Sequence, residues 1–170
     1  MEPQVETTLC VTGGRLDFEA IGDALGIGPT STCRAGELPV AVVRAGLACD
    51  AWQHTIAREE CRWPPTHIDR LQDTVGEGAA RLRALLSEHV AKVAVVIDIQ
   101  MEAMCNPFLG LTARNVAFLN SIDAELRMRL EIHEPDNPDD YDDPEGVIQD
   151  VRRHQELGDA LWAWRRVGNA

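Results

Sequence analysis

Alternation of apolar and polar side chains begins at residue 7, where TTLCVTG places Leu9 and Val11 on one face and Thr8, Cys10 and Thr12 on the other, the period of a strand. Asp17 then opens a short helix. Phe18, Ile21 and Leu25 form its apolar stripe, the Asp17 carboxylate is placed to accept first-turn amide hydrogens, and Gly26 supplies a left-handed stop. Gly28, Pro29 and Thr30 redirect the chain into extended runs predicted over residues 31–34 and 38–44, separated by Gly36. Pro39 lacks a ladder donor and assigns the second run to a sheet edge or a bulge. Alternation resumes over residues 49–57 with Trp52, His54 and Ile56 sharing a face, and Trp52 is expected to point inward over the Phe18 helix.

The following AREECRWPPT ends that strand, because its prolines cannot continue a central ladder. One long helix is predicted from Thr66, with Asp69 completing an approximate capping box and Ile68, Leu71, Val75, Ala79, Leu82 and Leu86 recurring at helical intervals. Gly76 and Gly78 each cost such a helix roughly 1 kcal/mol against alanine, so packing on a sheet must hold it, and the two glycines are expected to mark a close approach of helix to sheet. Residues 92–101 form the most strand-like run, with Val93, Val95, Ile97, Ile99 and Met101 on one face and Ala94 and Val96 making the other apolar at its start; this is expected to be a central strand. After a loop containing Asn106, Pro107 and Gly110, Thr112 caps a helix carrying Val116, Leu119 and Ile122. Residues 125–133 alternate again, Leu126, Met128, Leu130 and Ile132 inward and Arg127, Arg129, Glu131 and His133 outward.

Runs of strand and helix in this order predict an α+β fold: a mostly antiparallel sheet with helices on one face, with a decorated ferredoxin-like arrangement as a candidate form. The predicted domain covers residues 1–133. EPDNPDDYDDPE over residues 134–145 reads as an extended acidic linker. Residues 146–170 read as a C-terminal amphipathic helix with Val147, Val151, Leu157, Leu161 and Trp164 near one face.

Composition narrows the picture. The 170 residues are 45% hydrophobic but only 5% aromatic, so the core is expected to be aliphatic. A formal net charge of −12 argues against a nucleic-acid backbone as partner and favours a basic partner or none. No apolar stretch reaches the length of a membrane span, and MEPQVETTLC lacks the basic and apolar regions of a signal peptide. Cys10, Cys33, Cys49, Cys61 and Cys105 are odd in number and without CxxC spacing, which fits reduced thiols. A cytoplasmic protein with no membrane partner is expected.

Leu16-Asp17, Ile21, Leu25-Gly26, Pro29-Thr30, Gly36 and Trp52, following a first strand, resemble the signature of a bacterial family catalogued as domain of unknown function 4279. The resemblance covers about residues 7–133. It implies a small cytoplasmic domain, sometimes likened to immunity proteins that neutralise toxins, and it supplies no catalytic residues.

Candidate chemistry is sparse. Cys49, His54, Cys61 and His67 are zinc-ligand types, but their gaps do not match the short paired spacings of structural zinc sites, and neither metal nor cofactor is expected. Glu59 and Glu60 with Asp69 offer carboxylates for acid–base work, against a solvated loop as the plainer reading. No recognisable catalytic motif decides whether the protein is an enzyme. Arg34, Arg44, Arg127 and Arg129 would form an anion site if the fold gathered them on an open sheet face, as in a small enzyme or ligand-binding domain; the plainer reading is pairing with neighbouring acids. The residues favoured for partner binding lie in the tail. Asp139, Asp140, Asp142 and Asp143 stand among further acids with no Lys or Arg between, which suits a protein with a basic surface. Leu161, Trp162 and Trp164 supply an apolar anchor, unless the same face folds back onto the domain's own sheet. The resulting expectation is a non-catalytic binding protein of immunity or regulatory type.

Overall fold

The structure, a computed structural model, describes residues 2–46, 48–87, 90–102 and 110–133. The acidic linker and C-terminal helix expected over residues 134–170 lie outside the described residues, as does Cys105. Strand β1 (Gln4–Gly13) is followed by helix α1 (Phe18–Leu25), strand β2 (Ser31–Cys33), a 3-10 turn at Ala35–Glu37, helix α2 (Val40–Arg44) and strand β3 (Asp50–Glu60). Helices α3 (Pro65–Val75) and α4 (Gly78–Leu86), strand β4 (Ala91–Glu102), helix α5 (Ala113–Ser121) and strand β5 (Ala124–His133) complete the order.

Among the described residues, five strands form one sheet in the order β2-β3-β1-β4-β5. β3 lies between β1 and β2, and β1 lies between β3 and β4, every one of these pairings antiparallel. Two β-α-β units are therefore split and interlocked, which is the ferredoxin-like arrangement. The decoration is β5, joined to β4 through α5 and paired with it in parallel, so the α+β sheet is open and mixed.

Local chemistry accounts for the ends of α1. Asp17 Oδ1 accepts the Ala20 N–H at 3.0 Å, and Gly26 turns left-handed at φ 72°. Along β1, Val5, Leu9 and Val11 are fully buried and meet Val93, Val95, Ile97 and Ile99 of β4, with Ile21 and Leu25 of α1, Ile68 and Leu71 of α3, Leu82 of α4 and Phe118 and Leu119 of α5 in the same cluster. Trp52 is fully buried in that cluster, as its face of β3 predicts.

Four expectations are corrected. The run 38–44 is not extended, since Pro39 starts helix α2, its fixed φ suiting a helix entry as well as a strand edge. The long helix is two, broken where Gly76 takes φ 54°. Gly78 does mark a close approach, but to a helix: a Cβ there would stand 2.7 Å from Leu25 Cα and 2.8 Å from the Ala24 carbonyl oxygen. Arg81 Nε donates to that same Ala24 carbonyl at 2.8 Å, so α4 closes the open end of α1. Finally, Met128 and Leu130, expected inward, are exposed; on α5 Val116 is exposed as well, and Phe118 is buried with Leu119.

Candidate functional site

The sheet buries one face under the helices and leaves the other uncovered by any described element. In register across that open face stand Cys10 with Gln53 and Ala94, and Thr8 with Thr55 and Val96. Short side chains dominate its centre, where the Thr8 and Thr55 hydroxyls meet at 3.0 Å and Gln53 Nε2 donates to Cys10 Sγ at 3.7 Å. Charge gathers towards the β5 edge. Arg127 Nη2 donates to Glu125 Oε2 at 2.9 Å, Arg129 Nη1 stands 3.9 Å from Asp98 Oδ1, and Gln100 Nε2 donates to Glu131 Oε2 at 2.8 Å.

Of the four arginines, Arg127 and Arg129 thus share this face, each beside an acid. Arg44 ends α2. Arg34 is committed elsewhere: its Nη1 donates to Asp50 Oδ2 at 2.7 Å and to the Leu16 carbonyl at 2.6 Å, and its guanidinium lies 3.6 Å over the Phe18 ring. Asp50 also accepts the Leu16 N–H at 3.1 Å and the Ala35 N–H at 2.9 Å. These backbone donors, with Arg34, hold its carboxyl down at about 2. The result is a clasp joining the entry to α1, the 3-10 turn and the start of β3. Sequence reading missed Asp50, because its partners lie far away along the chain and only folding brings them in.

A second polar cluster lies beneath α3. His67 is fully buried in the first turn of α3, its Nε2 3.4 Å from Glu59 Oε1. Arg70 pairs with the same Glu59 carboxylate and lowers its pKa, while desolvation lowers that of His67. Glu59 was expected as a solvated loop acid; a β-bulge in the β1–β3 pairing turns it onto the helix side opposite buried Val5. Asp69 accepts instead from Asn115 Nδ2 of α5 at 2.8 Å. His54 Nδ1 bonds the Gly28 carbonyl at 2.8 Å and its ring stacks on Trp52, while Cys61 Sγ lies 3.3 Å from Thr66 Oγ1. Among the described residues no three His, Cys, Asp or Glu side chains converge as a metal site.

The third feature is apolar. Met128 is 50% exposed, Leu130 44%, Val116 44% and Leu111 41%. Met128 and Leu130 share strand parity with Leu126 and Ile132, which pack against the core, so they lie on the helix-covered side of the sheet.

The family model described as Domain of unknown function (DUF4279) matches residues 3–133. The chain belongs to this family. Neither the curated proteins nor the solved structures gave a match. The DUF4279 domain accordingly ends with β5, and the acidic run begins at the next residue, Glu134. Among the described residues, no helix of the DUF4279 domain is long and apolar enough to cross a membrane. Asp139, Asp140, Asp142, Asp143, Leu161, Trp162 and Trp164 lie in the part of the chain beyond it, outside the described residues.

Proposed function

We propose that this is a non-catalytic binding protein of immunity or regulatory type, working in the cytoplasm, whose acidic segment and C-terminal arm engage a protein partner with a basic surface. The observation that carries the reading is a juxtaposition: the acidic run leaves the domain at the end of β5, the strand that also exposes Met128 and Leu130. Charge at such a site steers a basic partner, and apolar side chains beside it supply contact once the partner arrives. Asp139, Asp140, Asp142 and Asp143 serve the first role, and Leu161, Trp162 and Trp164 the second. The net charge of −12 sets the protein against nucleic acid, and Cys10, Cys33, Cys49 and Cys61, free among the described residues, suit a reducing compartment.

A second reading takes the open face as an anion site for a ligand-binding domain or small enzyme, favoured by Arg127 and Arg129 projecting there. Both already stand beside Glu125 and Asp98, which weakens it. Affinity purification from the cells of origin at low salt separates the two. The first reading expects a basic protein in stoichiometric amount, released as salt rises; the second expects no such protein and a small anion that raises the melting temperature.

A further inference from the structure

The outer edge of β5 is complementary to a second copy of itself. We propose that two copies of this chain pair antiparallel along β5 about a two-fold axis at Arg129, joining their sheets into one.

The edge is open and regular. Among the described residues no strand pairs with the far side of β5, and its pairing with β4 runs from Ala124 to His133 without a bulge. An outer strand is ordinarily kept from pairing with another chain by shortness, proline, a bulge or charge. β2, at the opposite edge, has three residues. β5 has ten, with neither proline nor glycine, and its Met128 and Leu130 are exposed on the helix-covered side.

Of those guards β5 keeps only charge, and its charges are of both signs: Glu125, Arg127, Arg129 and Glu131 cancel in a chain of net charge −12. A two-fold axis perpendicular to the sheet sets side chains of one face beside the same face of the second copy. Centred on Arg129, it puts Arg127 opposite the second copy's Glu131 and Glu125 opposite its His133, extending the Arg127–Glu125 pair within each strand. The one like pair, Arg129 with itself, is offset by Asp98, whose Oδ1 stands 3.9 Å from Arg129 Nη1. On the other face the same register puts Met128 opposite Leu130 and Leu126 opposite Ile132, with Cβ atoms about 5 Å apart, so the exposed apolar side chains cover one another. Centring the axis on Met128 opposes Arg127 to Arg129 and Glu125 to Glu131, like on like, which destabilises a strand pair. Centring it on Arg127 or Leu130 pairs only residues 124–130 or 127–133, a shorter run than residues 125–133.

The inference goes beyond the reading of residues 134–170 and is tested without any partner. Sedimentation equilibrium of the full-length chain is expected to show monomer and dimer in exchange. Arg127→Glu and Glu131→Arg alter side chains that are more than half exposed. Each alone sets like charges opposite one another on both sides of the axis and is expected to weaken the dimer about tenfold or more. Mixed in equal amounts, the two variants are expected to recover it, because each supplies the charge that the other lacks. Circular dichroism checks both folds; if either is lost, Met128→Arg replaces them and is expected to leave monomer alone. A full-length chain that stays monomeric at every concentration overturns the proposal and leaves the edge to another occupant. So does a dimer that the substitutions leave intact, or one that they weaken and mixing does not restore, since each places the contact on another surface or in another register.

Discussion

Trp52 is the largest fully buried side chain among the described residues. Trp52→Ala is expected to cost about 3 to 5 kcal/mol in urea denaturation; a loss below about 1 kcal/mol would place the indole outside the core. His67 makes a pH-dependent prediction. Desolvation holds its pKa below the usual 6.5, Glu59 opposing and Arg70 reinforcing. The unfolded chain takes up a proton near pH 6.5 that the folded chain resists, so stability should fall as pH drops below that value. Glu59, lowered chiefly by its hydrogen bond to Arg70, loses its own contribution only below its usual 4.5, which leaves the interval above that pH to report on His67. His67→Gln should flatten the dependence of stability on pH between 6.5 and 4.5; an unchanged slope would assign it to another group.

Among the described elements, α1 and α4 approach closely at Gly78. A side chain at position 78 has no space, since backbone atoms rather than flexible tips surround the missing Cβ. Gly78→Val should destabilise by about 1 to 3 kcal/mol through overpacking, whereas Gly28→Ala, with nothing within 4 Å of its Cβ, should be close to neutral on thermal melting. Elements whose ends are set by adjacent residues were legible in sequence: Asp17 and Gly26 bound α1, and Thr112 caps α5 by accepting the Asn115 N–H at 3.1 Å. The break between α3 and α4 was not, because apolar spacing runs straight across it and only the conformation of Gly76 reveals it. Alternation in β5 gave its strand character correctly. Burial of Met128 and Leu130 did not follow, since inward parity buries a side chain only where another element lies above it. The Asp50 clasp and the contact of Glu59 with buried His67 depend on long-range register and left no mark in any local pattern.

At the scale of the whole molecule, the interleaved β-α-β units gather one hydrophobic cluster from the described residues of 2–133. A chain ending at His133 should therefore fold cooperatively by calorimetry. Failure to fold would make residues 134–170 part of the core. The central claim concerns charge, and it is tested most directly by the affinity for the purified partner as a function of salt. The full chain and a variant with Asp139, Asp140, Asp142 and Asp143 all changed to Asn would be measured side by side. The account predicts that binding by the unsubstituted chain weakens steeply as salt rises, while the variant binds more weakly at low salt with a shallower dependence, the two converging at high salt. Equal affinity and equal salt dependence for the two chains would contradict it.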